Sequence, residues 1–303
     1  MKKNQKLRDS IFLFLLPITL NAQTLPQYLE EVRDGSYVAV PQSIWQQEEQ
    51  AMLQQLQPYL QDTSQSVRLR AYGIAKQAGL KSEDQQLRQE VVARLIAGIG
   101  DTDRRISVRN TSGLKNFQQQ DFTTASTNQL LTYLNTTTPN LEELLLIIGF
   151  VQPENSVASI RPLIGQLRGM DRMAAWLALS RLGEEDAIQY VMERVERQPV
   201  NDDLVYEIVP YLVYTRRQEA FKFLNRIIQS NEPTCLSANA DSEENILCGY
   251  RVLEYIAPVM INFPLPVDEF GELEIDDYEA GLAEVRQWMA DQDGEYELVT
   301  DRY

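Results

Sequence analysis

Two stretches of this chain, Val67–Gly79 and Asp171–Gly183, align without a gap. Each places an arginine at its second position (Arg68, Arg172) and an alanine three residues on (Ala71, Ala175), then small and apolar positions closing on glycine. A third copy, Val108-Arg109 with Ser112 at the alanine position, begins roughly 40 residues after the first, a spacing typical of helical repeats. No strand signal falls inside that period. Such units cannot bury an apolar face alone and do so only by stacking on their neighbours. The expected fold class is therefore all-α: a right-handed α-α superhelix, a solenoid of antiparallel helix pairs.

Helix-period stripes extend this reading along the chain. Residues 23–42 form a lead-in, with a short helix at Pro26–Val32 and an extended run at Tyr37–Pro41. The helical repeats are expected over 43–263. Ser43 opens a helix to Leu60, and Val67, Ala71, Ile74, Ala75 and Ala78 mark the next. Leu141–Phe150, Val157–Leu167, Met170–Leu182, Ala187–Val195, Leu204–Tyr214, Ala220–Ile228 and Ile246–Phe263 read as further helices. Residues 264–303 form an acidic connector and a terminal helix at Tyr278–Met289 that caps the array.

The recurrent residues have a local logic. A small side chain at Ala71 or Ala175 lets a neighbouring helix approach closely. An aspartate ahead of a helix, Asp62 or Asp103, can accept from its free N–H groups. On these residues (Asp62 with Val67-Arg68 and Ala71, Asp103 with Val108-Arg109 and Ser112, Arg172 with Ala175) the chain resembles the HEAT-repeat, armadillo-like family. Asp171 departs from the valine usual there. The resemblance implies that aspartates and arginines of adjacent repeats form ladders, which makes Asp62, Arg68, Asp103, Arg109 and Arg172 structural. It also implies that the second helix of each pair lines a concave face. The family is defined by packing, so the resemblance says little about function.

The first 22 residues read as a secretory signal peptide. Lys2, Lys3, Lys6 and Arg8 precede the apolar run Ile11–Leu20, which is too short to span a bilayer comfortably, and Asn21-Ala22 offers a small residue for cleavage. The expectation is an exported protein, periplasmic or secreted, with no membrane insertion once that segment is gone. Cys235 and Cys248 are the two cysteines. In an oxidising compartment they are expected to form a disulfide around a small polar loop.

The formal net charge is −16. A field of that sign repels phosphate backbones and makes nucleic acid a poor partner. Residues 264–303 hold thirteen acidic groups against Arg286 and Arg302. That end is either a solvated acidic surface or a place where a basic partner docks.

Chemistry is hard to find. The chain has no histidine, which removes the commonest general base and metal ligand. It has no nucleophile elbow, phosphate loop or dinucleotide fingerprint. In Asp291–Glu297, placing Gly294 at the sixth position of a calcium loop would make Met289 the first ligand, and the pattern fails. No catalytic residue, cofactor or metal is expected. Tyr190 with Arg194, and Phe223 with Arg226, lie wholly or partly off their helices' apolar stripes. They are either packed on a neighbouring repeat or are aromatic and cationic anchors for a partner. The leading expectation is a scaffold that binds a protein or peptide on a concave helical surface. The alternative is a HEAT-like enzyme of lyase or glycosylase type, which rests on fold analogy alone.

Overall fold

The computed structural model describes residues 23–36, 38–237, 244–269 and 271–303. The proposed signal peptide therefore lies outside the described residues. So do Tyr37 and most of the polar loop between the cysteines.

Fifteen α-helices account for most of the described chain. They are α1 (Leu25–Arg33), α2 (Gln42–Trp45), α3 (Glu49–Leu56), α4 (Gln65–Lys81), α5 (Gln85–Ile99), α6 (Arg104–Gly113), α7 (Thr124–Thr132) and α8 (Leu141–Val151). There follow α9 (Ser156–Ile160), α10 (Gly169–Arg181), α11 (Glu185–Val195), α12 (Val209–Thr215), α13 (Gln218–Gln229), α14 (Gly249–Ile256) and α15 (Tyr278–Asp291). The one sheet among the described residues is a small antiparallel pair, β1 (Cys235–Leu236) and β2 (Asn245–Ile246), with Cys235 opposite Ile246. The run after Ser36 joins no strand among the described residues.

The helices contact one another in two rows. In one row α1, α4, α6, α8, α10, α12 and α14 touch in succession. On the other side α5 meets α7, and α11, α13 and α15 follow one another. Small residues set these approaches. Ala71, Ala75 and Ala175 are fully buried, and a Cβ on Gly79 would lie 2.9 Å from Val91 of α5. The most extensive helix contact joins α8 to α10, where a Cβ on Gly149 would lie 2.7 Å from the Ala178 Cα. All but two residues of α8 are buried, as expected of a helix that is apolar all round.

Where expected helices came out shorter, prolines explain most of the difference. A proline lacks an N–H and clashes with the preceding turn. The helix expected over 43–60 breaks into α2 and α3 and ends in a 3-10 turn containing Pro58. α9 stops at Ile160, with Pro162 in the next turn, and α14 gives way to a turn containing Pro258. Ahead of Pro210, the chain from Leu204 to Ile208 is wound as a wider π-helix.

Cys235 and Cys248 are disulfide-bonded, with Cα atoms 5.1 Å apart, and the bond ties the β1 strand to the start of α14. After α15 the chain returns along the array. The Ile261 amide donates to the Glu297 carbonyl, and the Val299 amide to the Val259 carbonyl, each at 2.9 Å. The Gln119 amide donates to the Asp301 carbonyl at 2.9 Å.

Candidate functional site

Most of the candidate arginines and aspartates are engaged within the protein. Arg68 donates from Nε and Nη2 to the two carboxylate oxygens of Asp101, at 2.8 and 2.9 Å, and from Nη1 to the Asp62 carbonyl at 2.8 Å. Asp62 in turn accepts from Arg33 at 2.7 Å and from the Ser64 amide at 2.7 Å. A parallel arrangement, not evident from the motif, uses Arg88. Its Nε donates to Asp121 at 2.8 Å and its Nη1 to the Ser82 carbonyl at 3.0 Å. Arg68 and Arg88 thus each bond a carbonyl six residues back and a carboxylate 33 residues ahead. Burial pushes the Asp101 carboxyl up, but bonds from Arg68 and the Asp103 amide outweigh it and leave its pKa below the ordinary value.

Asp103 does not face Arg68. It caps α6, accepting from the Arg105 amide at 2.9 Å. Arg172 is half-buried, with no partner for Nε. Arg109 stands outside any ladder. The buried face of α6 is Ile106, Ser107, Asn110 and Thr111, so Val108 is only half-buried and Arg109 points to solvent. The third motif copy is turned around its helix relative to the first.

The aromatic candidates also have partners within the chain. Tyr190 stacks on Trp176 of α10 with ring centroids 4.3 Å apart, and the Arg194 guanidinium covers its other side at 3.3 Å. Phe223 is buried, the packed one of the two alternatives its stripe left open, because the apolar face of α13 is wide enough to take it in. Arg226 lies 5.3 Å from its ring and pairs with Glu196. Phe223 and Arg226 line a cleft of about 230 Å³ beside Thr234 and Cys248.

Two further concavities lie on the other row. An open groove of about 540 Å³ runs between α1, the α2 end and α4, and a second of about 370 Å³ continues it between α4 and α6. The two share Leu69, Gly73, Gln77 and Arg109. Val32, Val40, Trp45 and Leu69 contribute apolar surface, and Arg70, Lys76, Arg105 and Arg109 contribute charge. Among the described residues, no aspartate or glutamate lines either part. Arg70 lies 5.8 Å from the Tyr28 ring, and Arg105 reaches the cap Asp103 at 3.5 Å. Arg109 makes no side-chain hydrogen bond or ion pair among the described residues.

Gly73 sits mid-helix where the two grooves meet, and a Cβ there would meet nothing within 4 Å. A glycine inside a helix costs about 1 kcal/mol relative to alanine. No neighbour among the described residues requires that cost.

A second arginine-rich cluster is internal. Arg181 donates to the Tyr214 carbonyl at 2.7 Å and to the Thr300 and Arg302 carbonyls at 3.2 and 2.8 Å. Arg216 donates to the Val299 carbonyl at 2.7 Å and the Tyr303 carbonyl at 3.2 Å. Burial pulls both guanidinium groups below their ordinary range, and the Arg181 charge adds to the effect on Arg216. Neither has a carboxylate side chain as partner among the described residues. The Tyr303 ring packs against Phe150 and Tyr214 at centroid distances of 5.9 and 5.4 Å.

Among the described residues, no three Cys, Asp or Glu side chains are placed to hold a metal ion, and no helix is long and apolar enough to cross a membrane. No protein-family model, curated protein or solved structure matches this chain.

Proposed function

We propose that this protein is an exported helical-repeat scaffold of the HEAT type that binds a protein partner in the groove formed by α1, α4 and α6 and performs no chemistry of its own. The superhelical arrangement is part of this proposal. It draws on the two rows of helices and on the Arg68 and Arg88 bonds that recur across neighbouring helices. A disulfide between Cys235 and Cys248 is compatible with export.

One observation carries the reading: Arg109, without a polar partner among the described residues, lines a groove together with a glycine that no described neighbour needs. Aromatic and cationic groups around an open apolar surface are the usual anchors of a protein interface. The buried Phe223 and the stacked Tyr190 favour this groove over the α11–α13 face. A photo-crosslinking residue at Gln77, in the groove, is expected to capture a partner protein in the native cells. The same residue at the exposed Glu193 of α11 is the control. Equal labelling at both positions would refute the assignment of the face.

A further inference from the structure

We infer that the occupant of the α1–α4–α6 groove is an extended, acidic segment of another protein that also carries apolar side chains. This rests on the groove being the partner-binding surface. Four cations, Arg70, Lys76, Arg105 and Arg109, line it with no acidic residue in the lining among the described residues, Arg105 alone reaching an aspartate, Asp103 at 3.5 Å, in a chain of net charge −16. A local reversal of sign against that background selects anionic groups over a short distance and repels a long, evenly charged polyanion. The apolar surface of Val32, Val40, Trp45 and Leu69 would be wasted on a phosphate polymer but suits a peptide that alternates acidic and apolar residues. Gly73 leaves α4 without a side chain in the same groove that Arg70 and Arg109 line, so a main chain can lie directly against the helix there. The occupant is thereby set apart from the basic partner that the acidic residues of 264–303 would attract.

The test uses the full mature chain and a fluorescein-labelled peptide of about twelve residues alternating Glu with Val and Leu. Saturable binding is expected, weakening by roughly tenfold as salt rises from 50 to 300 mM, because exposed charges are screened within a Debye length. Arg109→Glu and Arg70→Glu should each weaken binding about tenfold or more, and Gly73→Leu should abolish it by filling that space. Arg197→Glu, at an exposed position just after α11 that lines neither part of the groove, should bind as the parent does. Circular dichroism and melting curves are recorded for each variant. Arg109→Gln, which only removes the charge, serves where a reversal disturbs folding.

Equal binding of the peptide with Gln in place of Glu, or of inorganic polyphosphate, would overturn the inference. So would self-association that Arg109→Glu abolishes, because the occupant would then be a second copy. A Gln77 crosslink to a partner segment that is not acidic would also overturn it, while leaving the groove as the binding surface. No crosslink and no peptide binding would sink both.

Discussion

Arg68 holds Asp101 through two parallel bonds, 2.8 and 2.9 Å long, that join the start of α4 to the turn before α6. Both side chains are largely shielded, at 13% and 7% exposure. A bidentate pair of this kind fixes geometry as well as contributing energy. The folded-state pKa values of Asp62 and Asp101 are depressed. Their contribution to stability is thus fully present above the unfolded carboxylate pKa of about 3.9 and is lost as pH falls through the lower folded values. Asp101→Asn should destabilise the protein by about 2 kcal/mol at neutral pH and flatten the acid limb of its stability curve. Urea titrations at pH 7 and near pH 3 check both. An unchanged acid limb would mean that the pair does not couple to folding.

Two helical glycines should respond in opposite directions to the same substitution. Gly73→Ala meets open space, so helix propensity alone should raise stability by about 1 kcal/mol. Gly149→Ala drives a methyl group into Ala178 and the Tyr214 hydroxyl, and overpacking should lower stability by about 1–3 kcal/mol. Thermal melts of the two variants decide it, and a stabilised Gly149→Ala would refute the close contact between α8 and α10.

Ala71→Leu and Ala175→Leu should each cost about 1–3 kcal/mol by overpacking fully buried positions. Phe223→Ala should cost about 3 kcal/mol, since that ring is 7% exposed. Tyr190→Ala loses its stack on Trp176 and should cost about 1 kcal/mol. Chemical denaturation ranks the four. A neutral Phe223→Ala would restore that ring as a surface anchor.

The helix pattern was legible where apolar spacing was strong, as in α4, α10, α11 and α13. It misled where prolines cut a stripe short, as at Pro58 and Pro258. The motif does not show Arg88, which follows Leu87, a buried residue of α5. The clue was the shared six-residue spacing from Ser82 to Arg88 and from Asp62 to Arg68. The motif match to Arg68 makes Arg109 look structural, whereas the buried face of α6 puts it in solvent. The groove could not be read at all, since it depends on how α1, α4 and α6 meet and not on any local pattern. The docking of residues 299–303 was equally hidden, because its bonds run from arginine side chains to main-chain carbonyls far along the chain.

The sharpest expectation concerns that segment. Arg181 and Arg216 are buried cations whose bonds run to carbonyls, including those of Val299, Thr300, Arg302 and Tyr303. Ending the chain before Val299 would strip both of these acceptors and uncover Phe150 and Tyr214, which the Tyr303 ring packs against. Arg181 would keep only the Tyr214 carbonyl and Arg216 only the Val213 carbonyl, and losing the partners of a buried charge costs up to about 3–5 kcal/mol. The truncated chain should therefore melt well below the parent. If the cost comes from the orphaned guanidinium groups, Arg181→Met with Arg216→Met should restore much of the loss in the truncated chain, because apolar replacements of buried charges are often neutral or stabilising. Denaturation of the parent, the truncation, the double variant and their combination forms a cycle that isolates the coupling. Additive losses with no rescue would show that the segment contributes by ring packing alone.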